Sequence, residues 1–277
     1  MMWTKISENY AIITKNLTKK FGDLTAVNNL NLKIPYGKTY GLLGPNGAGK
    51  TTTVRMLNSI ITPTSGSAQV VGFDIITQKT QVKINSGFLP ESPGLYQKLT
   101  AREFLEFIGE LYYLPKKVIS SRIDELLDIF NLEGRENDLL EGYSRGMKQK
   151  VCLCAAIIQD PKIIFLDEPT SNLDPAAARI VKDLISDLAK KAEKTIFICT
   201  HLLEAAEELC DLIGIIDKGI LKVEGSPKEI IDSVNAKDLE EAYLKIMEVS
   251  KIEDLLAWRE EVSDNLEQEK KEKKKVK

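Results

Sequence analysis

The chain has 277 residues, of which 43% are hydrophobic and 29% are charged, a composition that suits one large globular domain or two smaller ones. Its net charge of −3 includes no basic excess, so we do not expect nucleic acid to be the main partner. Apolar runs such as residues 163–166 have the length of strands and are far shorter than the roughly 18–20 residues that span a bilayer. Because residues 1–5 do not form an apolar signal segment, we expect the protein to stay in the cytoplasm.

The first predicted elements form a small antiparallel flank. Apolar residues at 11–14 predict one strand, and the alternation of polar and apolar residues over 27–34 predicts a second. A turn follows at residues 35–38. Phe21 lies within this flank, where an aromatic side chain belongs either to the core or to a platform on which a nucleotide base stacks.

The next stretch matches the phosphate-binding pattern G-x-x-x-x-G-K-[ST], between a predicted strand over 40–43 and a predicted helix over 52–57. Glycines let successive backbone N–H groups curl around phosphate oxygens, and the N-terminus of the following helix adds partial positive charge. Lys50 would reach the β- and γ-phosphates of a nucleotide, and the Thr51 hydroxyl would hold Mg²⁺. The residues of this phosphate loop are Gly44, Pro45, Asn46, Gly47, Ala48, Gly49, Lys50 and Thr51.

Helical periodicity replaces the strand pattern between about residues 91 and 160. We interpret this block as a helical subdomain inserted between strand-bearing halves. Thr100 and Glu103 predict a capping box at the start of its first helix, and Pro115 predicts the end of that helix.

Strands and helices alternate after this block to about residue 225, which predicts an α/β fold with a largely parallel sheet. The predicted strands cover residues 162–166, 195–200 and 213–217, and a hairpin edge follows at 221–223. Ligands of such sheets bind beyond the carboxyl ends of the strands. The phosphate loop, Asp167, Glu168 and His201 can therefore converge on one site.

The polar residues that follow these strands suit different tasks in nucleotide hydrolysis. An Asp at the end of a buried strand can hold Mg²⁺, directly or through water, which we expect of Asp167. The next carboxylate, Glu168, can act as the general base for an attacking water. His201 is the only histidine in the chain, and it is either a structural residue or a hydrogen-bond partner of the γ-phosphate that orients the water.

A second helix N-terminus suited to phosphate is predicted at residues 141–150. Ser144 can cap this helix, and Gly146 in its first turn allows close approach of another backbone. By itself the pattern could be an ordinary cap. Because the chain already has a phosphate loop, a second anion-binding helix end makes most sense if it serves a nucleotide held by another subunit.

Together these motifs resemble those of the ATP-binding cassette ATPases, in the same order and over about residues 11–241. The phosphate loop with Thr52 is similar to the Walker A motif, and residues 163–169 are similar to Walker B. Residues 144–149 resemble the signature loop, 171–174 the D-loop, and 200–201 the switch histidine. The resemblance implies a P-loop NTPase core with a mainly parallel sheet, an antiparallel β flank and an inserted helical subdomain.

We divide the chain into a cassette domain at residues 1–225 and a C-terminal helical extension at 226–277. Apolar residues at helical spacing continue to about residue 256. Residues 267–277 are nearly all Lys and Glu, which predicts a solvated, disordered tail.

The family resemblance implies ATP hydrolysis by a head-to-tail dimer. Each ATP would lie between the phosphate loop of one chain and Ser144 and Gly146 of the other. Phe21 would stack on adenine, and Asp174 would carry contacts across the dimer. Glu168 would be the catalytic base, and its neighbour His201 would contact the γ-phosphate. The helical subdomain would meet separate transmembrane permease subunits, which would hold the protein at the inner face of the cell membrane.

This chain departs from the family pattern at three positions. The signature loop has Arg145 and Met147 around Gly146 and opens with Tyr143, where the family pattern is Leu-Ser-Gly-Gly-Gln. This variation resembles a subgroup of exporters of drugs, antibiotic peptides or sodium. Glu91 stands where the family supplies Gln, and it can still bind Mg²⁺ or water but adds negative charge. Phe21 stands in the place of Tyr and preserves the stacking face.

Two other functions compete with that of an exporter ATPase. One is a non-transport cassette ATPase that acts in DNA repair, chromosome structure or translation, although such relatives usually carry coiled-coil arms, zinc modules or two cassettes. The other is a regulatory or scaffold protein without turnover, which the presence of Glu168 disfavours.

Overall fold

The structure is a computed structural model that describes residues 9–92, 94–171 and 173–248. The predictions for Asn172 of the D-loop, for the apolar residues beyond 248 and for the tail at 267–277 lie outside these ranges. Within them, no helix is long and apolar enough to cross a membrane.

Four strands come first in the described residues, and helices separate most of the later strands. The strands are β1 (Tyr10–Phe21), β2 (Leu24–Leu30), β3 (Lys33–Pro35), β4 (Thr39–Leu43), β5 (Ser65–Val70), β6 (Phe73–Asp74), β7 (Ser86–Leu89), β8 (Ile163–Asp167), β9 (Thr195–Thr200), β10 (Leu212–Asp217) and β11 (Ile220–Gly225). The helices are α1 (Lys50–Leu57), α2 (Lys79–Asn85), α3 (Ala101–Leu111), α4 (Lys116–Ile129), α5 (Arg145–Ile157), α6 (Pro175–Lys190), α7 (Leu203–Leu209), α8 (Pro227–Ser233) and α9 (Leu239–Ile246).

The central sheet has the strand order β11-β10-β4-β9-β8-β7. Its strands run parallel from β10 to β7, and β11 pairs antiparallel at the edge. Every residue of β4, β8 and β9 is buried, as expected of parallel strands that are covered on both faces. The predicted α/β fold with a mainly parallel sheet is confirmed.

An antiparallel sheet flanks this core, in the order β2-β1-β5-β6, with β3 also paired to β1. The prediction of one strand over residues 27–34 is wrong, because the structure divides this stretch between β2 and β3. The break falls at Asn31 and Leu32, which belong to neither strand, and Asn29 just before it, still within β2, has a left-handed φ of 51°. The Asn31 side chain then accepts a hydrogen bond from the Asn16 backbone N–H at 2.9 Å and fixes the connection.

The two faces of the central sheet hold different helices. On one face, the rings of Tyr40 and Phe165 lie 5.3 and 5.8 Å from the ring of Phe197, and α1 packs over them through Val54 and Met56. On the other face, the alternate residues of β8 and β9 join a core with α5 and α6. Burial of each large apolar side chain contributes about 1.5–3 kcal/mol, so all three helices are firmly fixed to the sheet.

The helical block begins with the predicted capping box. The Thr100 hydroxyl accepts a hydrogen bond from the Glu103 N–H at 3.1 Å, and the Thr100 N–H donates to the Glu103 carboxylate at 2.8 Å. The helix end predicted at Pro115 is wrong by several residues. Helix α3 already ends at Leu111, Tyr113 turns the chain with a φ of 57°, and Pro115 precedes α4 as its N-cap.

Candidate nucleotide-binding site

The phosphate loop joins the buried strand β4 to α1, as the sequence predicts. Gly49 is the N-cap of α1 with a φ of 106°, and no side chain caps this helix end. A Cβ at Gly49 would lie 2.4 Å from the Ala26 carbonyl oxygen, and one at Gly44 would lie 2.2 Å from that of Ile216. Only glycine fits these two positions. Among the described residues, the first N–H groups of α1 therefore have no side-chain cap.

A cavity of about 350 Å³ lies over this helix end. It brings together most of the predicted site residues from β1, the phosphate loop, the loop after β7 and the end of β8. Gly44 and Pro45 of the loop do not line the cavity, but their carbonyl oxygens accept hydrogen bonds from Lys50. The residues that line the cavity are Phe21, Leu24, Ala26, Asn46, Gly47, Ala48, Gly49, Lys50, Thr51, Thr52, Glu91, Asp167 and Glu168.

Lys50 is a buried cation at the base of the cavity. Its Nζ donates to the carbonyl oxygens of Gly44 and Pro45 at 2.7 and 3.2 Å. It also lies 3.9 Å from Oε1 of Glu168. The ammonium group is thus held at the phosphate loop by acceptors of the same chain, in reach of a ligand that enters the cavity.

Asp167 is buried at the carboxyl end of β8, and neither of its carboxylate oxygens has a hydrogen-bond partner among the described residues. Burial raises the pKa of Asp167, while the nearby Thr51 hydroxyl acts in the opposite direction. Unpartnered buried carboxylate oxygens next to a hydroxyl are a donor set that suits a hard cation such as Mg²⁺. No cluster of three or more His, Cys, Asp or Glu side chains within the described ranges could hold a metal alone, so phosphate or water oxygens would have to complete the shell.

Glu168, the next residue, is surrounded by partners. Its Oε2 accepts hydrogen bonds from the hydroxyls of Ser171 and Thr200 at 2.9 and 3.1 Å. Its Oε1 lies 2.8 Å from Nδ1 of His201. The backbone of Glu168 has a φ of 52°, a left-handed conformation that residues other than glycine rarely adopt. Two neighbouring carboxylates therefore have opposite environments, one unpartnered and one held from several sides.

His201 follows the last residue of β9 and is nearly half exposed, with its ring directed to Glu168. The hydroxyl partners of Glu168 were missed at the sequence level. Thr200 and Ser171 belong to the predicted switch and D-loop motifs, but nothing in the sequence indicates that their hydroxyls contact Glu168. Only the parallel pairing of β8 with β9, which aligns Asp167 with Cys199, brings Thr200 to the carboxylate.

The second predicted phosphate-binding helix end is at α5. The Ser144 hydroxyl accepts a hydrogen bond from the Met147 N–H at 3.2 Å, so it caps the helix as predicted. Gly146 follows in the first turn, and a Cβ there would meet Leu173 at an ordinary contact distance of 3.7 Å. Neither Ser144 nor Gly146 lines the phosphate cavity of its own chain.

Glu91 lies between the two helix ends. It lines the phosphate cavity and also a neighbouring cavity of about 370 Å³, together with Arg145 and Lys148 of α5. Asp174 caps α6, since its side chain accepts from the Ala177 N–H at 3.0 Å.

Phe21 is the aromatic edge of the phosphate cavity. It is the last residue of β1, and 50% of its surface is exposed. The Nζ of Lys19 lies 4.9 Å from the ring centroid. The ring belongs to the rim of the cavity and not to the core, which leaves a face for a stacked base.

The sequence is similar to that of a known protein family and to those of its members. Residues 27–171 match the family model of ABC transporters. The chain is 40% identical over 229 residues to the bacitracin transport ATP-binding protein BcrA of Bacillus licheniformis, which covers 83% of this chain and 74% of BcrA. The chain belongs to the ABC transporter family. It is also 38% identical over 229 residues to the Nod factor export ATP-binding protein I of Cupriavidus metallidurans, covering 83% and 75% of the two chains.

This ABC ATP-binding subunit also matches a solved dimer of the family. The structure of the ATP-binding cassette MJ0796, in a post-hydrolysis state with ADP and Pi, superposes with a TM-score of 0.72 and 26% identity. The match covers 78% of this chain and 98% of that one. The protein is thus an ATPase, the nucleotide-binding subunit that drives a separate permease, as the sequence predicted.

Proposed function

We propose that this subunit hydrolyses ATP, with Mg²⁺, at a site shared by two copies of the chain, and that closure of the dimer drives an export permease. This proposal rests mainly on one observation: some of the predicted site residues line the phosphate cavity, and others lie outside it. Lys50 and Glu168 line one cavity with the phosphate loop, whereas Ser144 and Gly146 lie outside it. A head-to-tail partner would bring its own Ser144 and Gly146 to that cavity.

The predicted site residues that line the cavity have separate tasks in this function. Phe21 stacks on the base, the phosphate loop binds the phosphates through backbone N–H groups, and Lys50 neutralises the γ-phosphate. Thr51, Asp167 and Glu91 would hold Mg²⁺, which when bound offsets charge on the phosphates. These tasks agree with the uncapped helix end and the unpartnered oxygens of Asp167.

Glu168 is the general base in this proposal. It takes a proton from the water that attacks the γ-phosphate, and His201 contacts the same phosphate from the side of Oε1. Asp174, close to the start of α6, contacts the partner chain and links its position to that of the turn that holds Glu168.

The relatives support a dimer and an export partner. The solved MJ0796 cassette is dimeric, and two relatives are named for bacitracin transport and Nod factor export. We therefore infer that the partners of this chain are a second copy of itself and a membrane permease that exports its cargo. The chain would sit peripherally at the inner face of the membrane.

The permease would bind the helical subdomain at about residues 91–160, inserted in a cassette domain of residues 1–225 that is followed by the extension from residue 226. An apolar groove of about 570 Å³ lies between α3, α5 and the edge strand β7. Exposed apolar side chains of Ile84, Leu111 and Tyr113 surround it, and Tyr113 is 94% exposed. Such an exposed apolar surface fits a protein partner.

Reconstitution of the subunit with its permease in lipid vesicles tests this function. We expect the permease to raise the rate of Mg²⁺-dependent ATP hydrolysis at least several-fold, and Tyr113→Glu to remove that stimulation. The hydrolysis rate of the free Tyr113→Glu subunit should equal that of the unmodified subunit, because Tyr113 lies outside the phosphate cavity. Equal stimulation of both proteins would contradict the docking surface. Tight binding of duplex DNA with a steep salt dependence would instead favour a non-transport ATPase.

A further inference from the structure

We propose that Thr200 is the positioning residue that orients the Glu168 carboxylate, with Ser171 as a second anchor. In this arrangement Oε2 is held by the protein, and Oε1 alone faces the reacting water. The inference rests on the proposed role of Glu168 as the base. Ser171 and Thr200 lie within the predicted D-loop and switch motifs, and the inference gives their hydroxyls a role that the motif resemblance did not assign.

The first evidence is the asymmetry of the contacts on Glu168. Its Oε2 accepts from two hydroxyls, those of Ser171 at 2.9 Å and Thr200 at 3.1 Å. Its Oε1 has only groups that a nucleotide can also attract, with His201 Nδ1 at 2.8 Å and Lys50 Nζ at 3.9 Å. When phosphate draws Lys50 and His201 to itself, the hydroxyl contacts remain to hold the carboxylate.

The second evidence is that the direction of the Thr200 hydrogen bond is fixed. The Leu202 N–H donates to the Thr200 hydroxyl oxygen at 3.0 Å, which occupies an acceptor site on that oxygen. A hydroxyl group has a single hydrogen, and the Glu168 carboxylate accepts it. Thr200 is also fully buried at the end of β9, so solvent water does not compete for its hydroxyl group.

The third evidence is the backbone of Glu168. Its left-handed φ of 52° is a conformation that this residue type does not favour by itself. The Glu168 N–H donates to the Cys199 carbonyl oxygen at 2.9 Å, and the Ser171 N–H donates to the Glu168 carbonyl oxygen at 3.2 Å. The same two segments, β9 and the turn at Ser171, thus hold both the main chain and the side chain of Glu168.

Substitution of Thr200 in the full-length chain tests the inference through the kinetics of ATP hydrolysis. Thr200→Val keeps the shape and removes the donor, and we expect kcat to fall about 10- to 100-fold, since a hydrogen bond to a charged group is lost. KM for ATP should change less than about twofold, because Thr200 does not line the phosphate cavity. Thr200→Ser restores the hydroxyl and should recover most of kcat.

Thr195 provides a matched control in the same strand. It is fully buried at the other end of β9, and its hydroxyl accepts from the Gly37 N–H at 3.0 Å. Thr195→Val removes a hydrogen bond of β9 far from Glu168, so it should lower thermal stability while kcat stays within about twofold of wild type. A purely structural role for Thr200 would make the two Val variants alike in kcat.

The inference is overturned if Thr200→Val keeps kcat within twofold of wild type, raises KM alone, or loses no more activity than Thr195→Val. If Thr200→Val does not fold, Ser171→Ala removes the other donor from a half-buried position and must lower kcat without weakening ATP binding. Glu168→Gln separates the two proposals. An active Glu168→Gln protein refutes the base itself, whereas an inactive one beside a fully active Thr200→Val protein refutes only the positioning role.

Discussion

Helices α1 and α5 both begin at residues suited to phosphate, but their N-termini are built differently. Helix α1 follows Gly49, has no side-chain cap, and begins inside the phosphate cavity beside Lys50. Helix α5 follows Ser144, whose hydroxyl caps it, and its first turn lies outside that cavity. The α1 end thus lies in the phosphate cavity of its own chain, whereas Ser144 and Gly146 at the α5 end do not line that cavity.

The difference indicates how the two ends depend on nucleotide. An uncapped N-terminus leaves backbone N–H groups to be satisfied by phosphate or water, so the α1 end gains most from ATP. A capped end already has one of its N–H groups satisfied and is stable in the free chain. The α1 end is therefore suited to bind ATP first. The α5 end is suited to bind ATP afterwards, when a partner chain already holds it.

Among substitutions that separate the two helix ends, Lys50→Ala should have the largest effect, a loss of ATP affinity at the α1 end. Removal of a buried cation at the phosphate loop deletes charge-assisted hydrogen bonds to phosphate, and we expect ATP affinity to fall at least about 100-fold. Equilibrium titration of the free subunit measures this. Lys191→Ala, which breaks an exposed ion pair with Asp187, is the control and should bind ATP normally. Full ATP affinity in Lys50→Ala would refute the assigned phosphate loop.

Gly146→Asp should prevent the α5 end from binding a phosphate while the phosphate loop at the α1 end still binds ATP. A Cβ at this position meets Leu173 and Ala177 at ordinary contact distances of 3.7 and 3.9 Å, and an acidic residue suits a helix N-terminus, so the free subunit should fold normally. The carboxylate would repel the γ-phosphate of a partner's ATP, and we expect hydrolysis to fall at least about 100-fold. ATP affinity of the free subunit, measured in the same titration, should change less than about twofold. A large loss of that affinity would show that α5 acts within its own chain.

Asp167→Asn tests the α1 end further, because it removes a carboxylate that we expect to hold Mg²⁺ there. Burial raises the pKa of Asp167, so the metal-free fold disfavours its ionised form, and this cost fades as pH falls through the raised pKa. The neutral amide should therefore raise the melting temperature at pH 7 without metal, by about 2–4 °C for each kcal/mol recovered. Mg²⁺ with ATP should stabilise the wild type and not the variant. A lower metal-free melting temperature for Asp167→Asn would contradict the assigned cost of the unpartnered carboxylate.

The smallest effect is expected at the rim, where Phe21 is half exposed. Phe21→Ala should raise KM for ATP about fivefold, since one exposed base-stacking contact is lost, while kcat stays near the wild-type value. Phe21→Tyr retains the ring and should restore KM. Steady-state hydrolysis over a range of ATP concentrations compares the variants, and an unchanged KM in Phe21→Ala would exclude stacking on this ring.

The two helix ends also differ in how far sequence could predict them. The phosphate loop is a local pattern, so its strand, glycines and helix were all predicted correctly. The cap at Ser144 is local too, but its position outside the cavity depends on how α5 packs on the sheet. The contacts of Glu168 with Thr200 and Ser171 could not be predicted, because residues 168 and 200 meet only through the pairing of β8 with β9.

In the flank, tertiary context overrode the local pattern. The apolar alternation over residues 27–34 resembles one continuous strand, but it is divided at Asn31 and Leu32, where the Asn31 side chain accepts a hydrogen bond from the Asn16 N–H. Helix α2 has only one buried residue, Val82, so its sequence shows little helical periodicity and it was not predicted. The positions of the motifs in the fold were thus more predictable than the bounds of the elements that carry them.

Complementation between two defective chains tests the composite site most directly. A mixture of Lys50→Ala and Gly146→Asp chains forms heterodimers that have one site with both defects and one site with neither. If ATP lies between the α1 end of one chain and the α5 end of the other, hydrolysis should recover to about a quarter of the wild-type rate in an equal, random mixture. If both helix ends serve ATP within one chain, every chain stays defective, and the mixture would hydrolyse no more ATP than the separate variants.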